Sequence, residues 1–213
     1  MATDRWVVRI VPPRYAPQLQ PAPSTAPAVR EQLNQLLRSV CLFTYRFSKA
    51  VSLIEHCDAL IGPELGIEPA DWQGIALRDA VHSLYHFAKT LAAFSGALRQ
   101  DPELLAKIDG KRLRGARKEF ERHFPNLRLL RNAVAHLGEQ LSSTSGISVF
   151  QQLGAFIVWE GQVGARLSMA VEEGRQVEIL VDEASQARLQ SILETICNVF
   201  AAAPGARWEH VCG

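Results

Sequence analysis

An unbroken apolar stripe of helical period constrains the fold of this chain more than any other feature. Apolar side chains recur at alternating steps of three and four residues through four heptads: Leu33, Leu36, Val40, Phe43, Phe47, Ala50, Ile54, Cys57 and Ile61. This period places them all on one face of a single long helix. Gly62 and Pro63 follow as a stop signal. A helix of this length with one apolar face needs helical partners, so the stripe predicts a mainly α fold.

The next hundred residues supply those partners. A second helix over residues 71–98 has leucines on one face and Arg78, Asp79, His82, Tyr85, His86 and Lys89 on the other. Asp101, Pro102 and Glu103 form the N-cap, first position and first turn of a short helix. A basic helix over residues 111–124 and another beginning near Pro125 and ending at Gly138 complete the set. We expect residues 29–139 to form an up-and-down helical bundle.

The two flanks of this bundle have a different character. Residues 1–28 combine a short predicted strand at residues 6–11 with a proline-rich connector. Residues 140–213 begin with a loop and contain two alternating segments, 167–171 and 177–181, separated by a turn with Gly174. A last helix follows over residues 183–202. We therefore expect a C-terminal β-hairpin and helix packed on the bundle.

Composition and motifs exclude several classes of protein. The chain is 47% hydrophobic and 21% charged, and no stretch approaches the 18 apolar residues of a membrane span, so we expect no membrane partner. Its four cysteines, Cys41, Cys57, Cys197 and Cys212, have no paired spacing and indicate reduced thiols in a cytoplasmic protein. Phosphate-binding glycine loops and the serine-hydrolase elbow are absent from the sequence.

Positive charge is concentrated in one part of the chain. The net charge is +1, but residues 111–131 contain eight lysines and arginines against Glu119 and Glu121, a local charge of +6. Such a segment is either a solvated helix face or a surface for a polyanion. If RNA is the partner, the candidates for binding its backbone are Lys111, Arg112, Arg114, Arg117 and Lys118.

The segment over residues 124–139 has two faces that need partners. Leu127, Leu130, Val134 and Leu137 lie within about 80° of one another and predict a core face. The opposite face contains Leu129, Asn132, Ala133 and His136, with Arg131 at its edge. Small apolar residues beside a polar pair are suited to a second subunit, because buried polar groups need partners. We therefore expect a homodimer through this helix.

Arg131, Asn132 and His136 are also a chemically useful set. Arginine presents a planar fork to phosphate oxygens, and histidine transfers protons near neutral pH. The order Arg131-Asn132-x-x-x-His136 resembles the Arg-polar-x-x-x-His signature of the HEPN superfamily, whose catalytic members are metal-independent ribonucleases. Many members of that superfamily are toxins or act in antiphage defence.

The resemblance implies a role for each residue. His136 would act as the general base or acid, Arg131 would stabilise the phosphorane, and Asn132 would orient the histidine or the phosphate. It implies an RNA substrate, no cofactor, and in some members an antitoxin partner. Two alternatives stay open: a non-catalytic module that dimerises or binds a partner through this helix, and an Arg131 that only pairs with an acid. His82 and His86, with Asp79, offer a weak metal site that lacks a further ligand.

Overall fold

Helices account for most of the described chain. A computed structural model describes residues 15–20, 27–60, 69–135, 157–158, 165–170, 176–203 and 205–210. The helices in these ranges are α1 (Pro27–Leu60), α2 (Pro69–Arg99), α3 (Pro102–Lys107), α4 (Gly110–His123), α5 (Leu127–Ala135) and α6 (Glu183–Ala201). The strands are β1 (Tyr15–Gln18), β2 (Ile157–Val158), β3 (Ala165–Ala170), β4 (Gln176–Val181) and β5 (Arg207–His210). The predicted fold class, a mainly α bundle with a small β-hairpin, is confirmed.

The α1 stripe lies in the core as its period predicts. Its buried members are Leu33, Val40, Phe47, Ala50, Ile54 and Cys57, whereas Leu36 and Phe43 are partly exposed. Leu37 and Val51, which lie beside the stripe, are buried too. The buried surface of α1 is wider than one stripe because both α2 and α6 pack against this helix. Ile61 lies outside the described residues.

Three aspartates set where helices begin. The Asp101 carboxylate accepts a hydrogen bond from the backbone N–H of Leu104 at 2.9 Å, which confirms the predicted N-cap of α3. Asp109 caps α4 in the same way, and Asp182 caps α6. Asp101 is fully buried, and its second oxygen lies 2.5 Å from Nε of Arg30 on α1. This ion pair ties the start of α1 to the turn between α2 and α3.

The C-terminal region shares the core of the bundle. Strands β3 and β4 form the predicted antiparallel hairpin, with Leu167 opposite Ile179, and β2 pairs with the outer edge of β3. The predicted apolar face of the last helix is buried, and it comprises Leu189, Ile192, Ile196, Val199 and Phe200. Helix α6 packs on α1 and α4, and the Phe94 and Phe200 rings are 5.1 Å apart.

A second sheet joins the two ends of the chain. Strand β1, within the proline-rich connector, pairs antiparallel with β5, and Pro17 lies opposite Trp208. Neither strand was predicted from the sequence. The strand predicted at residues 6–11, Gly138 and Leu137 lie outside the described residues, as does the loop at residues 142–146.

The described cysteines are buried. Cys41 and Cys57 lie on α1, and Cys197 lies on α6. Contact with Cys41, together with burial, raises the pKa of the Cys197 thiol far above its usual range. The Cys197 thiol therefore stays protonated and unreactive at neutral pH. Cys212 is outside the described residues. Within the ranges given above, no helix has both the length and the apolar content needed to cross a bilayer.

Candidate functional site

Helix α5 presents less apolar surface to the outside than its sequence predicts. Leu127, Leu130 and Val134 are buried, which confirms the predicted core face. The placement of Ala133 on the outer face is wrong, because only 6% of its surface is exposed. Leu129 likewise packs partly against the core. The reason is that α5 contacts α2 and also β3 and β4, so its own protomer covers more than one face.

The polar part of the motif remains accessible. Asn132 is exposed and Arg131 is half-buried. Nη1 of Arg131 donates a hydrogen bond to Oδ1 of Asn132 at 3.3 Å. The guanidinium carbon of Arg131 lies 5.5 Å from the centre of the Tyr85 ring, within range of a cation–π interaction. Arg131 is therefore held by two neighbours, one on its own helix and one on α2. His136 lies outside the described residues.

Tyr85 belongs to a group of rings and cations contributed by three helices. We call this group the Tyr85 cluster, and it comprises Phe43 of α1, His82, Tyr85, His86 and Lys89 of α2, and Arg131 of α5. The ring centres of Phe43 and His86 are 5.4 Å apart and stacked, and those of Tyr85 and His86 are 5.5 Å apart and nearly perpendicular. Nζ of Lys89 lies 5.5 Å from the Tyr85 ring centre. Tyr85 thus contacts two cations.

The charges around His86 favour its neutral form. Burial lowers the pKa of His86, and electrostatic interaction with His82, Arg131 and Arg46 lowers it further. Asp79 lies on the same helix, one turn before His82. The imidazole of His86 is exposed and uncharged at pH 7, so one ring nitrogen is available to accept a proton. The cluster therefore combines a fixed guanidinium with a proton acceptor on one accessible surface.

The basic residues of α4 lie in a different place. Lys111, Arg112, Arg114, Arg117 and Lys118 are all exposed, and Arg117 pairs with Glu121 at 2.8 Å. Arg114, Arg117 and Lys118 line a groove against α2 residues 91–99. These α2 positions lie roughly 9 to 21 Å along the helix axis from Tyr85. The structure brings Arg131 and Asn132 together, but it does not bring the α4 cations beside them.

The sequence predicts the polar face of α2 but not its contact with Arg131. Tyr85 is half-buried between two cations. The available signal was the outward polar face that contains His82, Tyr85 and His86. In the described part of the chain, no three His, Cys, Asp or Glu side chains lie together in a way that could hold a metal ion.

Comparisons with known proteins give no further guide to this site, since no protein-family model, curated protein or solved structure matches the chain.

Proposed function

We propose that this chain is a metal-independent endoribonuclease of HEPN type with its site centred on Arg131. The observation that supports the proposal is the setting of the Arg131 guanidinium, which Asn132 and Tyr85 hold beside the exposed imidazole of His86. A cation fixed before substrate arrives stabilises a developing negative charge without reorganisation at the moment of reaction.

The Tyr85 cluster suits a nucleic acid better than a small polar substrate. A guanidinium binds phosphate oxygens through two parallel hydrogen bonds. Exposed rings next to it offer stacking surfaces to unpaired bases, which cation–π contacts strengthen. The cluster provides such rings, since the ring centre of His86 lies 5.4 Å from that of Phe43 and 5.5 Å from that of Tyr85. Single-stranded RNA is therefore the substrate class that we assign.

The proposed reaction uses the hydroxyl group of RNA as its own nucleophile. His136 removes the proton of a 2′-hydroxyl, and the 2′-oxygen attacks the adjacent phosphorus. Arg131 stabilises the added negative charge of the phosphorane. The bond to the 5′-oxygen then breaks, that oxygen takes up a proton from water, and His136 returns its proton to water. The products are a 2′,3′-cyclic phosphate and a 5′-hydroxyl end. Asn132 acts on this pathway by orienting Arg131, and neutral His86 is a second acceptor on the same surface.

Three partner assignments belong to the same proposal. The α4 cations bind the RNA backbone beyond the cleaved bond, through contacts that do not depend on sequence. Two copies of the chain pair through exposed residues of α5, including Asn132 and Ala135, which brings two motifs to one cleft. An antitoxin partner and a role in antiphage defence follow only from the resemblance to the HEPN superfamily.

A cleavage assay with matched variants tests the proposal. The purified protein is incubated with single-stranded RNA in excess EDTA, and Arg131→Ala and His136→Ala are compared with Arg128→Ala, which removes an exposed arginine from the same helix. We expect the wild type and Arg128→Ala to cut the RNA, and the other two variants to lose about 100-fold or more of the rate. Circular dichroism checks that all variants fold.

Two results would reject the proposal. One is equal activity of Arg128→Ala and Arg131→Ala, since the position of the guanidinium would then be irrelevant. The other is a wild-type protein that binds RNA or dimerises but cuts no RNA. The motif helix would then serve only in dimerisation or partner binding, as in the non-catalytic alternative.

A further inference from the structure

A groove separate from the Tyr85 cluster runs between α2 and α4, and Leu105 of α3 also lines it. Its volume is about 460 Å³, within the range of small-molecule sites. We call it the α2–α4 groove, and its lining consists of Leu91, Ser95, Leu98, Arg99, Leu105, Gly110, Leu113, Arg114, Arg117, Lys118 and Glu121.

The floor and the rim of this groove differ in chemistry. Leu91 and Leu98 form the floor and are almost fully buried, at 4% and 3% exposed. Leu113 is half-buried, and Leu105 of α3 is 42% exposed at the rim. An exposed leucine beside a leucine-lined floor leaves apolar surface in contact with water. Covering such surface is favourable by about 25 cal/mol per Å².

The rim carries excess positive charge. Arg99, Arg114, Arg117 and Lys118 face one acid, Glu121, which pairs with Arg117. In the ranges that the structure describes, Arg99, Arg114 and Lys118 form no ion pair. Nη1 of Arg114 lies over Gly110, where a Cβ atom would come within 3.4 Å of it. The guanidinium thus lies near the start of α4.

We infer that the α2–α4 groove binds a small amphipathic anion, an aliphatic chain that ends in a carboxylate. The leucine floor fits the chain, and Arg114 with Lys118 fits the head group, since guanidinium and carboxylate match in geometry. The groove contains no aromatic side chain on which a nucleobase would stack. This inference does not depend on the proposed nuclease function.

Calorimetric titration with decanoate, below the concentration at which it forms micelles, tests the inference on the full-length chain. The Arg114→Glu/Lys118→Glu variant removes the proposed head-group site. Its matched control is Lys111→Glu/Arg112→Glu, which reverses two exposed charges on the same helix outside the groove. Leu105→Gln tests the rim, and Leu180→Gln, at an exposed leucine of β4, is its control.

We expect decanoate to bind the wild type and both controls. The Arg114→Glu/Lys118→Glu variant should bind about tenfold more weakly or worse, because charge-assisted hydrogen bonds are lost. Leu105→Gln should also bind more weakly. Hexanoate should bind more weakly than decanoate by up to about fourfold for each methylene removed. Decyltrimethylammonium, which has the same chain and the opposite charge, should not bind.

Several outcomes would overturn the inference. These are no binding of decanoate, equal weakening by the groove variant and its control, or equal binding of decyltrimethylammonium. A different ligand would be indicated if decanoate does not bind but a short single-stranded RNA does, and if RNA binding depends more on Arg114 and Lys118 than on Lys111 and Arg112. The groove would then be part of the surface that binds the RNA backbone.

Discussion

The buried ion pair between Arg30 and Asp101 gives the sharpest test of the fold. Asp101 is fully buried and Arg30 is 6% exposed. The pair connects α1 to the α2–α3 turn at 2.5 Å, and the same carboxylate caps α3. Asp101→Asn isolates the charge, since asparagine also caps helices well. It leaves the guanidinium of Arg30 buried without a counter-charge.

The expected loss of stability is large. Breaking a buried ion pair by removing one partner costs about 3–5 kcal/mol. For a chain of this length, each kcal/mol lowers Tm by about 2–4 °C, so Asp101→Asn should lower Tm by roughly 6–20 °C. Asp101→Ala also loses the cap and should cost about 1 kcal/mol more.

Urea unfolding of a double-mutant cycle measures this loss. Arg30→Met and Asp101→Asn should each destabilise strongly, and the double variant should lose at least about 2 kcal/mol less than their sum, because neither charge then remains buried alone. Arg38→Met is the matched control. It breaks an ion pair with Glu209 in which both side chains are about half exposed, and such pairs contribute about 0–1 kcal/mol. A cost for Asp101→Asn no greater than that of Arg38→Met would refute the reasoning.

Three further predictions concern charge. Burial and Arg188 lower the pKa of His123, and the pKa of His86 is lowered too, so the unfolded chain takes up these protons first. The free energy of unfolding should therefore decrease as the pH is lowered below about 6.5. Urea unfolding at a series of pH values should show a smaller decrease for His123→Gln than for the wild type. A plot of the logarithm of RNA affinity against the logarithm of salt concentration should have a slope of about −3.5 for five phosphate contacts. In the Lys111→Ala/Arg112→Ala variant, which keeps three of these contacts, the slope should be about −2.1. Tyr85→Leu should lower the RNA cleavage rate by about two- to fivefold through loss of the cation–π contact, whereas Tyr85→Phe should not; equal rates for both variants would exclude a role for the ring.

Local patterns in the sequence predicted most of the fold. The stripe of α1 depends only on the spacing between neighbouring turns, and the β3–β4 hairpin depends on alternation around one turn. The pairing of β1 with β5 depends instead on contact between the two ends of the chain. Pro17 argued against a strand there, since proline is confined to edge strands and bulges. Both strands of this two-stranded sheet are edge strands, so the proline is tolerated.

The candidate site was predicted only where it is local. The order Arg131-Asn132-x-x-x-His136 predicts the motif, and the periodicity of α2 predicts an outward polar face. The contact between Arg131 and Tyr85 depends on how α5 packs on α2, which no spacing encodes. For the same reason a helical wheel placed Ala133 outside: it gives the direction of a side chain but not the element that covers it.

Analysis of the cut ends tests the central claim most directly. An RNA strand that carries a single 2′-deoxy nucleotide on the 5′ side of a mapped cleavage position is incubated with the protein in excess EDTA, beside the unmodified strand. If Arg131 assists attack by the 2′-oxygen of the RNA, the unmodified strand should yield 2′,3′-cyclic phosphate ends, and the modified strand should stay intact at that position. Cleavage at the deoxy position, or products with a 3′-hydroxyl, would contradict the account.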